Sequence, residues 1–336
     1  MAVVTWNGSS STAYSTAANW DTGSVPVDGD DVVIPDTSSI NACNVDSNDS
    51  CNSLTVLSNG EIGSDNGSKL AILGEADGTG ATTNGFGVNI DGAITDNGGT
   101  SLDIDIRTPA ATTIDLYAQG GGKLRNIIIN HASCVATLGA LIDITGNLTI
   151  TAGELNTNSG SNYAVTVAGD ASVTGTLTGN ASAISLGSGL TSGWGLDIQT
   201  NGTFTGGSGT HTIGSIFAAS GGTKTITLSS GATTINSKNT SNGYTINLAS
   251  GTTFNHGSGT VTMTYAGDTL NQLSGGTLAF NTFTYNASGR TLELRSAMSC
   301  AANLTITAGT LDTKSGTNNA LTVTGDASVT GTLTGN

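Results

Sequence analysis

The chain has 336 residues, 49 of them Gly and only 4% aromatic, and nine Lys and Arg stand against 24 Asp and Glu for a formal net charge of −15. The length has room for two ordinary domains, but this composition rules out bulky aromatic cores and leaves small and β-branched residues to fill the interior. The acidic balance excludes nucleic acid and anionic lipid as partners, and no apolar run reaches the ~18 residues of a membrane span.

Residues 1–35 hold Trp6 and Trp20, two of the three Trp, and two of the three Pro. An aromatic-bearing segment ahead of a small-residue repeat suits a cap or attachment segment, because a first repeat otherwise exposes strand edges. Trp6 and Trp20 are therefore assigned structural roles. The start at Met1 lacks the basic and apolar regions of a secretory signal, which fits a protein assembled inside a cell or one read without its leader. Within "VDGDD", Asp28, Asp30 and Asp31 offer oxygen ligands around a glycine, as a calcium loop does. The competing reading is a solvated turn entering the first strand, and no other cofactor is implied.

Cys43 and Cys51 are close enough to meet across a turn as a disulfide, or they serve as small buried hydrophobes, the reading preferred here. With Cys134 and Cys300 they show no CxxC spacing and no zinc pattern. Further on, "LDIDIRT" puts Asp103 and Asp105 on one face of a strand near Arg107. Paired carboxylates of this kind perform acid–base work on polysaccharides, and they also arise wherever a strand has a polar outer face.

From residue 36 to 336 short alternating strands dominate. In "NLTITAG", Leu148 and Ile150 point one way and Thr149 and Thr151 the other. Strand-like pieces begin near Leu148, Val165, Ile184, Thr203, Thr225, Thr245 and Thr262, a step of roughly 20 residues, and Gly, Asn, Ser and Asp between them supply turns through positive φ or side-chain hydrogen bonds. The segment Asn147 to Asn180 returns at Asn303 to Asn336 without a gap, and weaker similarity upstream widens the module to about 121–180 and 275–336. A step too short for a propeller blade, small apolar residues and addable modules point to an all-β parallel β-solenoid, a right-handed β-helix. At one coil per step it holds ~15 coils and extends ~70 Å. The repeated phrase at the C-terminus implies an uncovered last coil at Asn336, and hence a solenoid that continues past it or another subunit that covers that end.

His131, His211 and His256 have no evident nucleophile partner and read as surface or turn residues. Threonine ranks such as "TVTMTY" and "TGTLTG" suggest the array of an ice-binding solenoid, but Asn, Ser, Lys and Glu interrupt it in the linear sequence, and β propensity accounts for the threonines.

The opening "TWNGSSSTAYSTAANWDTGSVPVDGDDVVIP" resembles the N-terminal segment of many bacterial surface proteins and tailed-phage structural proteins, and "NLTITAGTLDT" resembles the β-strand repeats that follow it there. The resemblance implies a parallel β-helix with adhesive, appendage or virion-surface roles and supplies no catalytic residues. The expectation is a non-enzymatic tailed-phage fibre, spike or surface appendage on the virion. It would self-associate as a homotrimer and contact other virion or surface proteins, with host-surface glycan as a candidate ligand. The alternatives are a bacterial cell-surface adhesin or extracellular filament subunit, and a polysaccharide-degrading spike enzyme.

Overall fold

The computed structural model describes all residues except 65–66, 96–101, 117–123, 191–192, 240, 266, 268–269, 277, 315 and 336. The expected interruption at Asn336 itself, and the first residues of the module near 121, lie outside the described residues. The protein is an all-β solenoid of about 12 turns built from parallel stacked strands. The single helical element among the described residues is the 3₁₀ turn Ala17–Asn19. By contacts the chain divides into two units, Met1–Ala164 and Val165–Asn336.

In the first unit each coil contributes strands to three columns. One column runs Val3–Thr5, Asp31–Ile34, Ser53–Val56, Phe86–Ile90 and Ala111–Asp115. The second runs Asp49–Cys51, Lys69–Ile72 and Asp103–Ile106, and the long strand Asn126–Leu138 then joins both columns through its two halves. The third is shorter, with Cys43–Asn44, Glu61–Gly63 and Ala93–Thr95. Alternation drives this arrangement, since the residues turned inward, such as Val32, Ile34, Leu54, Val56 and Val88, are all fully buried. Each such aliphatic side chain contributes about 1.5–3 kcal/mol, and its neighbours in the column are the equivalent residues one coil away.

The N-terminal segment pairs with two of these columns. Val3–Thr5 pairs along Asp31–Ile34, while Ala13 bridges to Asn44. Trp6 and Tyr14 both pack edge-on against Trp20, at ring separations of 5.0 and 4.8 Å. Their indole nitrogens are satisfied internally, Trp6 donating to the Asn41 carbonyl and Trp20 to the Tyr14 carbonyl. Asn19, completely buried, ties the loop together. Its side-chain oxygen accepts from the Ser10 and Ser11 N–H groups and its amide donates to Ser11 Oγ and the Ala13 carbonyl. A buried amide with this many partners fixes one loop conformation.

The second unit repeats the plan. One column passes through Val165–Val167, Ile184–Leu186, His211–Ile213, Ala232–Ile235 and Thr260–Met263 before entering the long strand Thr282–Leu294. Another passes through Ala171–Val173, Leu196–Ile198, Ile216–Ala218 and Tyr244–Leu248, and a third through Thr176–Thr178, Thr203–Thr205, Lys224–Thr227 and Thr252–Asn255.

The coil count is lower than the ~15 that a constant step predicts, because the corners vary in length. Val165 and Ile184 are register partners 19 residues apart, whereas Leu54 and Val88 are 34 apart. A fixed step of roughly 20 therefore slides from column to column: Val165 and Ile184 share one, Thr203 and Thr225 the next, and Thr245 lies in a third.

Candidate functional site

The residues singled out from sequence are not gathered into one place. Asp28 accepts from Ser50 Oγ, Asp30 accepts from the Val27 N–H, and Asp31, fully buried, accepts from Asn52 and Ser53. Each carboxylate thus serves a different turn or strand contact, and no group of three His, Cys, Asp or Glu suited to a metal occurs among the described residues. Cys43 and Cys51 are both buried free thiols and lie in different columns. Burial pushes the thiols of Cys134 and Cys300 up to about 11, so they remain protonated at neutral pH.

Asp103 and Asp105 do share one side of the strand Asp103–Ile106, but they are buried rather than solvated, at 6% and 1% exposure. Arg125 grips Asp103 with Nε at 2.8 Å and a terminal nitrogen at 2.6 Å, and Asn126 adds a third donor at 2.9 Å. Arg107 binds Asp105 Oδ2 with Nε at 3.0 Å and a terminal nitrogen at 2.7 Å. Hydrogen bonds to these carboxylates raise the pKa of both guanidiniums further. An acid–base pair needs a carboxyl free to give or take a proton. Here Asp103 is held through both oxygens by Arg125 of the adjacent coil, and Asp105 Oδ2 by Arg107 of its own coil, an arrangement that braces the strand.

A second acidic group was missed from sequence. Asp197 lies in register between Ser172 and Phe217 on the outward side of its column. Burial raises its pKa to about 6, the Gln199 side chain opposing and nearby Asp170 adding to the rise. Asp170 is also raised by burial, offset by the Trp194 N–H that it accepts. Trp194 stacks on Phe217 at 4.9 Å with an interplanar angle of 20°, and only 9% of it is exposed. Its loop is pinned by Asn236 to Ser188 Oγ, by Ser237 to the Leu190 carbonyl and by Asn239 to the Gly193 carbonyl. The indole, stacked on Phe217 and 9% exposed, therefore offers little free face to a sugar ring. Asp170 and Asp197 stand 27 residues apart, so only the coil register brings them together.

The histidines split. His131 and His256 accept backbone N–H groups two residues on, from Ser133 and Ser258; His256 follows the strand Thr252–Asn255, whereas His131 lies within the long strand Asn126–Leu138. His211 is not a surface residue. It faces the interior with no exposure, beside Phe204 at 5.8 Å, because it occupies the inward position that Ile184 and Thr233 occupy in adjacent coils.

The outward surface of the second unit is more regular than any of these clusters. Thr166, Ser185, Thr212, Thr234, Thr262, Thr284, Thr305 and Ser328 are successive register partners, a column of eight hydroxyls with none buried. Comparison with protein-family models, curated proteins and solved structures found no match.

Proposed function

We propose that the protein is a non-enzymatic structural or adhesive β-solenoid, serving as a fibre, spike or surface appendage of a tailed-phage virion. The observation that carries the structural reading is the eight-strand hydroxyl column, an extended repetitive surface. The arginine-bound state of Asp103 and Asp105 supports the same view. The virion assignment rests on the N-terminal resemblance alone, which a bacterial surface adhesin or filament subunit shares. Such solenoids gain by covering their faces in a threefold assembly, and a homotrimer is part of this proposal.

Immunogold labelling with antibody to the 336-residue chain tests the location. Gold on purified virions is the expected result, and gold confined to the bacterial envelope overturns the virion assignment in favour of the adhesin. Incubation with host capsular polysaccharide is expected to release no reducing ends, and release would overturn the non-enzymatic reading.

A further inference from the structure

The third column of the second unit presents threonines in two parallel ranks. Thr176, Thr203, Thr225 and Thr253 are register partners over four coils, and so are Thr178, Thr205, Thr227 and Asn255. The pairing runs through all four strands without a bulge. Seven of the eight outward positions are threonine and none is buried; Asn255 is the one interruption in the ranks, and Lys224, which breaks the linear run, is turned inward.

We propose that this face binds ice. Stacked strands lie about 4.8 Å apart and alternate residues about 6.6 Å apart along a strand. The ranks therefore form a two-dimensional lattice whose two spacings are close to the oxygen repeats on planes of hexagonal ice. Each threonine brings a hydroxyl that bonds water and a methyl that water must cage. Its branched Cβ restricts χ1, so both groups are set before contact. The hydroxyls are available, since the one protein hydrogen bond to them is from the Asn255 amide to Thr227 Oγ1 at 3.2 Å.

The backing is stiff. Between the ranks Leu177, Phe204 and Ile226 point inward and are completely buried. At the corner, Gly207 has φ +69°, and a Cβ there would run into the Asn180 carbonyl oxygen of the coil before, so adjacent coils sit close and level.

The surroundings exclude other ligands. Across residues 174–182, 199–210, 219–231 and 249–259 the only formally charged side chain is Lys224. It is fully buried, with Nζ held by the carbonyls of Gly221, Gly222 and Ser250 at 2.7, 3.2 and 3.1 Å. A chain of net charge −15 thus keeps this face uncharged. A polyion has nothing to pair with there, no aromatic residue points outward to stack on a sugar, and no apolar centre is present to anchor a protein.

The test is ice growth in solutions of the 336-residue chain, with circular dichroism to confirm that each variant keeps its strands. Faceted crystals and a gap between melting and growth temperatures are expected. Thr205→Tyr and Thr225→Lys should each shrink that gap several-fold, while Thr234→Lys, on the neighbouring hydroxyl column, should leave it unchanged. Rounded crystals like those in buffer would overturn the proposal. So would a gap that survives both substitutions, or one that Thr234→Lys abolishes.

Discussion

His211 and Asp197 are held in the second unit with opposite proton preferences, and this sets a pH dependence. Burial lowers His211 from 6.5 to about 4, the Gly206 backbone offsetting part of the effect, so the fold favours the neutral ring. Its contribution is fully present above pH 6.5 and is lost as pH falls toward 4. Asp197 is raised from 3.8 to about 6, so its contribution is present below pH 3.8 and is lost as pH rises through 6. Between pH 4 and 6 the two slopes oppose each other, each at most ~1.4 kcal/mol per pH unit. His211→Leu should therefore make the melting temperature rise on acidification across that window, and Asp197→Asn should make it fall. Calorimetric scans at pH 4, 5 and 6.5 that keep the parent's profile in both variants would refute the assignment. Sequence gave no warning of either shift. His211 reads as a turn residue until the register shows it on the interior side of its strand, and Asp197 meets Asp170 only across a coil.

At the level of the element, turn chemistry was the most legible part. Gly and Asn between alternating strands announced positive φ, and among the described residues six of the eight non-glycine positions with positive φ are Asn. The module copies expose an exception. Asn158, at φ 69°, accepts from the Gly160 and Ser161 N–H groups, which suits an amide in the left-handed region. The equivalent residue of the second copy is Lys314, also at φ 69°, a conformation lysine rarely adopts. Lys314→Asn should stabilise the protein by ~0.5–1 kcal/mol despite losing a weak ion pair with Glu293, and chemical denaturation measures it. The threonine runs were visible in the sequence, but which of them align into one face was not, for a related reason. Three columns are interleaved along the chain and corner lengths vary, so residues that share a face never share a fixed sequence interval.

For the whole molecule, the duplicated phrase "GDASVTGTLTGN" shows how far environment exceeds sequence. Val173 and Leu177 are fully buried, whereas their counterparts Val329 and Leu333 are 45% and 41% exposed, with identical neighbours in sequence. The difference follows from what each pairs with. Leu196–Ile198 lies against Ala171–Val173 and Thr203–Thr205 against Thr176–Thr178, while among the described residues Ala327–Val329 and Thr332–Thr334 are paired to Leu304–Asp312 alone. In the 336-residue chain Val173→Asp should cost at least ~4 kcal/mol by placing a charge in the interior, and Val329→Asp less than ~1 kcal/mol. Equal losses in urea titrations would contradict the burial pattern.

The column pairing also has a consequence for how the protein opens. Within each unit nearly every strand finds its partners one coil before and one coil after, as Ile184–Leu186 does with Val165–Val167 and His211–Ile213. Stability is then a sum of nearest-neighbour interfaces, and cooperativity extends only as far as those interfaces are evenly strong. Amide exchange should accordingly be graded, fastest where a coil has a neighbour on one side only and slowest several coils in. The molecule would come apart by fraying from an edge, and regain its structure by zippering onto coils already in place.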